Sequence, residues 1–230
     1  MSLFYQPLIS EGIHTLDAEE SRHAVKVLRL QPGDVIEVTD GRGKIYTAAI
    51  AEIKKNICCF HILTTSQAVQ KKFSVQVAIA PTKNMEKMEW FVEKATEIGI
   101  DEISFILCQN SERKTVNPER LIKKATSAMK QSRQAWLPQL HPLSPFADVL
   151  NFAGQKFIAT VGHGDSPHLQ QVVKADSDSL VLIGPEGDFS EMELTLAAKK
   201  GFQNVTLGPN TLRTETAGIV ACHIMNLANY

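Results

Sequence analysis

Apolar and polar residues alternate through the first third of the chain and then give way to unbroken apolar runs, so the sequence changes period once. In GDVIEVTDGRGKIYTAAIAEI, Val35, Ile36 and Val38 precede the stretch Asp40-Gly41-Arg42-Gly43, and Ile45, Thr47 and Ala49 follow it. Alternation on either side of a glycine-bearing turn predicts a β-hairpin. NICCFHIL, from Asn56, adds a strand, and DAEESRHAVKVLRL sets Ala24, Val25 and Leu28 on one side of a helix. The polar stretch TTSQAVQKK (64–72) reads as a linker, which gives a β-rich domain over 1–72 and a second domain over 73–230.

Beyond the linker, strands and helices alternate. VQVAIA (75–80), ISFIL (103–107), FIATV (157–161), LVLIG (180–184) and NVTLG (204–208) are the strands. Between them, Met85, Met88, Phe91, Val92, Ala95 and Ile98 recur at helical spacing before Gly99. Asn117-Pro118-Glu119 opens a helix to about Ala135 as cap, first-turn proline and early acid. Ser190 and Glu193 form a capping box, with Gly201 as the stop. A last helix runs from Thr214 to about Ala228, apolar around most of its circumference, and so needs cover on two sides. Apolar strands alternating with helices predict an α/β domain with a mostly parallel sheet.

Bulk properties narrow the function by exclusion. The 230 residues are 43% hydrophobic and 21% charged with net charge −1, so charge announces no nucleic-acid partner. No apolar run reaches the roughly 18 residues a membrane span needs, and MSLFYQPLISEG has no basic-then-apolar leader pattern. Cys58, Cys59, Cys108 and Cys222 lack C-x-x-C spacing, against zinc and a disulfide framework and in favour of the cytoplasm. His163 and His168 with Asp165 are too sparse for a metal site, and none is expected.

Two loops carry the candidate chemistry. Gly184-Pro185-Glu186-Gly187 interrupts an apolar strand at its carboxyl end, and LGPNTLRTETA follows the strand at 204–208 in the same way. Open α/β sheets bind ligands at such ends, and glycine lets a ligand approach main chain closely. Neither G-x-x-x-x-G-K-[ST] nor G-x-G-x-x-G is present; GHGDSP (162–167) lacks the third glycine. A P-loop NTPase is thereby excluded, and an ordinary dinucleotide site is unsupported.

GPEGDFSEMEL and LGPNTLRTETA together resemble the two signature loops of the RsmE family, SPOUT-superfamily enzymes that methylate N3 of a uridine in 16S rRNA. HAVKVLRLQPGD, KNMEKMEWFVEKATEIGI and QSRQAWLPQL resemble that family's remaining segments in the same order. Three positions depart from its pattern: Asp188 replaces a glycine, Asn210 an arginine, and Leu3-Phe4 an Arg-Phe start. The resemblance implies a PUA-like, RNA-binding β-barrel followed by an α/β domain with a trefoil knot. It also implies S-adenosylmethionine as cofactor, 16S rRNA or the small ribosomal subunit as partner, and a homodimer.

By the same resemblance, the cofactor lies between Gly184, Pro185, Glu186 and Gly187 on one side and Leu207, Gly208, Leu212 and Arg213 on the other, with Thr160 and Val161 nearby. Plain core packing is the alternative for Leu207 and Leu212. Arg213 suits stabilisation of a uridine anion. Glu215 is either a base or an acid favouring a helix N-terminus. Arg22, Lys26 and Arg29 share a helical face at i, i+4 and i+7 and could follow phosphates, or form a solvated face. Arg113, Lys123, Lys124 and Arg133 would extend that patch. Alternative readings are a same-fold enzyme acting on a ribose 2′-hydroxyl and a non-catalytic RNA-binding assembly factor.

Overall fold

The structure, a computed structural model, describes residues 2–161 and 166–230. The metal reading of His163 and Asp165 therefore falls outside the described residues. His168 Nδ1 accepts the Gln170 N–H at 3.2 Å and caps a short helix. The chain forms two compact units, Met1–Gln70 with Thr126–Leu137, and Lys71–Ala125 with Pro138–Tyr230.

The first unit holds a four-stranded sheet, β1 (Leu3–Tyr5), β2 (Val35–Thr39), β3 (Lys44–Lys54) and β4 (Ile57–Gln67), in that order. The β2–β3 hairpin is turned by Asp40, whose Oδ1 accepts the N–H groups of Arg42 and Lys44 at 2.7 and 3.1 Å. Between β3 and β4, Lys55 and Asn56 both have positive φ, the backbone that a two-residue hairpin turn demands. Phe4, Leu16, Ile36, Val38, Ala48 and Ile50 fill the core.

Two expectations change here. The polar stretch after Leu63 is strand as far as Gln67, because Thr64, Thr65 and Ser66 pair with Thr47, Tyr46 and Ile45. The helix before the hairpin is α1 (Ala18–Arg22) followed by a π-turn over His23–Val27, and Arg29 lies past it at φ 56°. The 3.6-residue spacing that put Arg22, Lys26 and Arg29 on one helical ridge therefore does not hold.

Residues 126–137 return to this unit through Gly43, whose N–H donates to Ala135 O at 2.9 Å. Gly43 has φ +97°, and a Cβ there would meet the Trp136 ring at 2.3 Å, so only glycine fits.

The second unit is built on a six-stranded sheet in which every pairing is parallel. Its strands are β5 (Val75–Ile79), β6 (Glu102–Leu107), β7 (Gln139–Pro145), β8 (Gln155–Ala159), β9 (Ser179–Ile183) and β10 (Gln203–Val205), ordered β10-β8-β9-β5-β6-β7. The chain runs outward from β5 to β7 and resumes on the other side, so β5 and β9 flank the point where strand order reverses. β7 is absent from the apolar pattern because it contains Pro142 and Pro145. Edge strands tolerate proline, and Pro142 falls in the register shift opposite Phe105.

The helices of this unit are α2 (Met85–Ile98), α3 (Pro118–Gln131, which passes into the first unit), α4 (Leu169–Val172), α5 (Glu191–Lys199) and α6 (Thr214–Leu227). Gly99 closes α2 in the left-handed region, and Ser190 and Glu193 cap α5 reciprocally. Glu193 also accepts the Gln109 N–H at 2.8 Å, tying α5 to the end of β6. In α6, Gly218, Ala221, Cys222 and Met225 face inward, and burial pushes the Cys222 thiol up to about 12. Its opposite side leaves Ile219 and Val220 half-buried and Leu227 49% exposed.

Candidate active site

A cavity of about 550 Å³ opens where β8, β9 and β10 end. Its first wall is the stretch after β9. Pro185 has no N–H to continue a ladder, and the chain turns with Asp188 N–H donating to Pro185 O at 3.0 Å. Asp188 takes φ +58°, the left-handed backbone that glycine adopts without cost. Local bonds hold it there: its Oδ1 accepts the Phe189 N–H at 2.8 Å, and Asn110 Nδ2 donates to the carbonyls of Gly187 and Asp188 at 3.0 and 3.1 Å. Glu186 turns back to accept the Lys83 N–H at 3.1 Å.

The second wall runs from Thr206 to Ala217. Among the described residues, the main chain from Leu207 to Leu212 makes no backbone hydrogen bond, so its N–H and C=O groups are available to a ligand. Gly208, at φ +140°, has open space where a Cβ would be. The two walls are joined where Thr214 Oγ1 donates to Gly184 O at 3.1 Å. At the base, Thr160 Oγ1 is buried without a partner among the described residues. A ligand carrying an apolar body and a heterocyclic edge suits this lining, since Val161, Ile183, Leu207 and Leu212 supply surface and the free main chain supplies donors and acceptors. The adenosyl portion of S-adenosylmethionine has that character.

Charge is concentrated at one end. Glu215, in the first turn of α6, is buried, and its Oε1 lies 3.3 Å from Lys87 Nζ on α2. Arg213 is the exposed N-cap residue of α6, and its guanidinium has no ion pair or hydrogen bond among the described residues. Lys87, Arg213 and Glu215 also line an adjoining depression of about 520 Å³ with Asn84, Glu86, Trp90 and Thr216. No group of three or more metal-ligating side chains occurs among the described residues.

Of the residues expected at the cofactor, Thr160, Val161, Gly184, Pro185, Glu186, Leu207, Gly208, Leu212 and Arg213 all line the cavity, as does Glu215. Gly187 is not in the lining; it backs onto Asn110, whose Cβ lies 3.2 Å from where a Gly187 Cβ would be. Lys87, Asp188, Thr206 and Thr214 line it without having been assigned to the cofactor. Asp188 carried a signal as a departure from a glycine position, whereas nothing in the spacing of Lys87 points to Glu215.

The basic residues are more dispersed. Arg22, Lys26 and Arg29 are exposed and have no ion pair among the described residues. Arg133 pairs with Glu37. Arg113 donates from Nε and Nη2 to the carbonyls of Thr82 and Lys83 at 2.6–3.1 Å, so it braces the chain leading into α2. Lys124 lies 3.8 Å from Glu93.

Residues 69–226 match the family described as RNA methyltransferase domain, and residues 16–63 match the RNA methyltransferase PUA domain. The chain is 31% identical over 229 residues to the ribosomal RNA small subunit methyltransferase E of a Synechocystis species, covering 95% of this chain and 74% of that one. A solved structure from Porphyromonas gingivalis, described as a probable rRNA-methyltransferase, is 39% identical with TM-score 0.94, covering 100% of this chain and 98% of that one. The ribosomal RNA small subunit methyltransferase E of Neisseria gonorrhoeae, solved bound to S-adenosyl methionine, is 25% identical with TM-score 0.87 and the same coverage.

Proposed function

Because the chain belongs to the RNA methyltransferase family, alongside the ribosomal RNA small subunit methyltransferases E, we propose that it methylates N3 of a uridine in 16S rRNA. It is an S-adenosylmethionine-dependent rRNA methyltransferase, with a PUA-type N-terminal domain of the kind found in RNA methyltransferases. The observation that carries the reading is the cavity at the ends of β8, β9 and β10, walled by unpaired main chain and bounded by Arg213 and Glu215.

Bound in this cavity, S-adenosylmethionine supplies an activated methyl group. The protein supplies position and charge. Thr160, the Gly184–Glu186 loop and the 207–212 main chain hold the cofactor, and Thr214 keeps the two loops at fixed separation. Arg213 places a permanent cation beside the acceptor, and Glu215 takes the N3 proton on a carboxylate oxygen. Arg22, Lys26 and Arg29 follow phosphates, being exposed and without an ion pair among the described residues.

In this reading the N-terminal sheet belongs to a PUA-like β-barrel over 1–72, and the 73–230 domain carries the trefoil knot. The protein acts in the cytoplasm, in keeping with four free cysteines and with the absence, among the described residues, of a helix able to cross a membrane. A homodimer would cover Ile219, Val220 and Leu227 of α6, the apolar side its own domain leaves open.

The test is mass spectrometry of 16S rRNA nucleosides from a strain lacking this gene, with and without complementation. N3-methyluridine should vanish and return. Loss of a 2′-O-methyl nucleoside instead would identify the other target atom, and an unchanged nucleoside profile would leave only an assembly role. Sedimentation of the purified protein tests the dimer; a 25.4 kDa monomer that methylates rRNA would exclude it.

A further inference from the structure

The depression beside the cofactor cavity shares Lys87, Arg213 and Glu215 with it, so the two hollows meet along a charged wall. We propose that this depression receives the target base, laid on Trp90, and that Lys87 is a catalytic residue stabilising the anion formed when N3 loses its proton. The inference rests on the uridine N3 chemistry proposed above and adds the residues that recognise the base.

Uracil presents two carbonyl acceptors on either side of one N–H. The shared wall presents two cations and one carboxylate, the complement of that edge in number and kind. Lys87 commits one contact to Glu215 at 3.3 Å, and an ammonium carries three donors. Arg213 commits none among the described residues. Cytosine offers a different edge, acceptor beside acceptor with an amino donor, and would leave the buried carboxylate facing a lone pair.

Trp90 is 44% exposed, one helical turn along α2 from Lys87, and offers a flat face at the rim of the depression. Aromatic faces of this kind hold unstacked bases. Asn84 uses Oδ1 to cap α2, accepting the Glu86 N–H at 2.9 Å, and keeps its amide donors uncommitted among the described residues.

The proton step balances within these groups. The N3–H bond breaks, its electron pair stays on the ring and spreads onto the two carbonyl oxygens, and the proton passes to a Glu215 oxygen. The charge on those oxygens is met by Lys87 and Arg213. Water removes the proton from Glu215 after the product leaves. If Lys87 served only to tie α2 to α6, none of this would depend on it.

The test uses small subunits purified from a strain lacking the gene, with single-turnover methylation followed against pH for Lys87→Met, Lys87→Arg, Trp90→Ala and Trp90→Phe. Calorimetric S-adenosylmethionine affinity and thermal midpoint are measured on each variant. Lys87→Met should lose at least a hundredfold in rate at neutral pH, and its rate should climb about tenfold per pH unit as the base ionises unaided. Cofactor affinity should stay within twofold, and Lys87→Arg should recover part of the rate. Trp90→Ala should lose about tenfold in kcat/KM, with Trp90→Phe close to the parent.

A Lys87→Met enzyme with the parental rate and pH profile overturns the proposal. So does a rate loss matched by an equal loss of cofactor affinity or of thermal stability. If the parent protein itself makes no N3-methyluridine on these subunits, it is the proposed function that fails; parental activity with indifferent Lys87 and Trp90 variants removes this inference alone.

Discussion

Gly218 is where packing and the site are most tightly linked. An added methyl at this position would lie 2.6 Å from Phe91 Cε2, 3.0 Å from its Cδ2 and 3.1 Å from Ile79 Cδ1. Carbon atoms rest at about 3.5–4.0 Å, so the shortfall is close to about 1 Å. Phe91 and Ile79 are fully buried and have nowhere to retreat, so α6 must move off α2 and β5. Overpacking of this kind costs about 1–3 kcal/mol, and replacing a mid-helix glycine by alanine returns about 1 kcal/mol. The net expectation for Gly218→Ala is a loss of about 1 kcal/mol, or about 2–4 °C in Tm for a chain of this size.

The same displacement carries Thr214 away from Gly184 and Glu215 away from Lys87, contacts now at 3.1 and 3.3 Å. Misplacement of about 1 Å can cost about a hundredfold in rate. Gly218→Ala should therefore reduce methylation and cofactor affinity far more than its modest loss of stability implies. Thermal melts, calorimetry and a methylation assay on one preparation decide the matter. A variant with parental or raised Tm and unchanged affinity and rate would refute the reasoning.

Three further outcomes follow from the structure. Asp188→Val removes the local acceptor and puts a β-branched residue at φ +58°, so cofactor affinity by calorimetry should fall about tenfold while Asp188→Gly keeps it; equal affinities would show that the turn is not strained. Burial raises the Glu20 carboxyl above its usual 4.5 despite the opposing Lys130, so the folded state holds that proton more tightly than the unfolded chain. Its contribution is then most favourable at low pH and declines as pH rises from 4.5 through the raised value, and Glu20→Gln should flatten that part of the urea-midpoint profile. Arg22→Ala with Arg29→Ala should make the salt dependence of RNA binding shallower by about 1.5 in log–log slope, whereas an unchanged slope would leave these residues as a solvated face.

Much of the second unit is legible in the sequence because its determinants are local. The α5 cap needs only Ser190 and Glu193, the α2 stop needs only Gly99, and apolar runs announce β5, β6 and β9. Elements that depend on distant partners are not legible. β7 exists because β6 accepts it at a sheet edge that tolerates Pro142 and Pro145. The π-turn after α1 inserts a residue that side-chain type does not reveal. In the site, glycine-bearing strand ends mark both cavity walls, but the Lys87–Glu215 contact and the Thr214–Gly184 bond join segments far apart in the chain. Arg113 has the charge of a phosphate contact, yet its fork is spent on two carbonyls that only the folded chain brings to it.

The unpaired main chain between Leu207 and Leu212 bears on how this protein can change over time. Where recognition rests on peptide groups, most side-chain replacements leave the recognising atoms in place. Positions such as Asn210 are then free to drift as long as the backbone keeps its path. For an inhibitor that occupies the cavity by engaging those same peptide groups, the genetic routes to resistance are narrow. A single substitution cannot delete a carbonyl, and only proline deletes an N–H. Escape would have to come from bending the loop, which would also disturb the natural ligand.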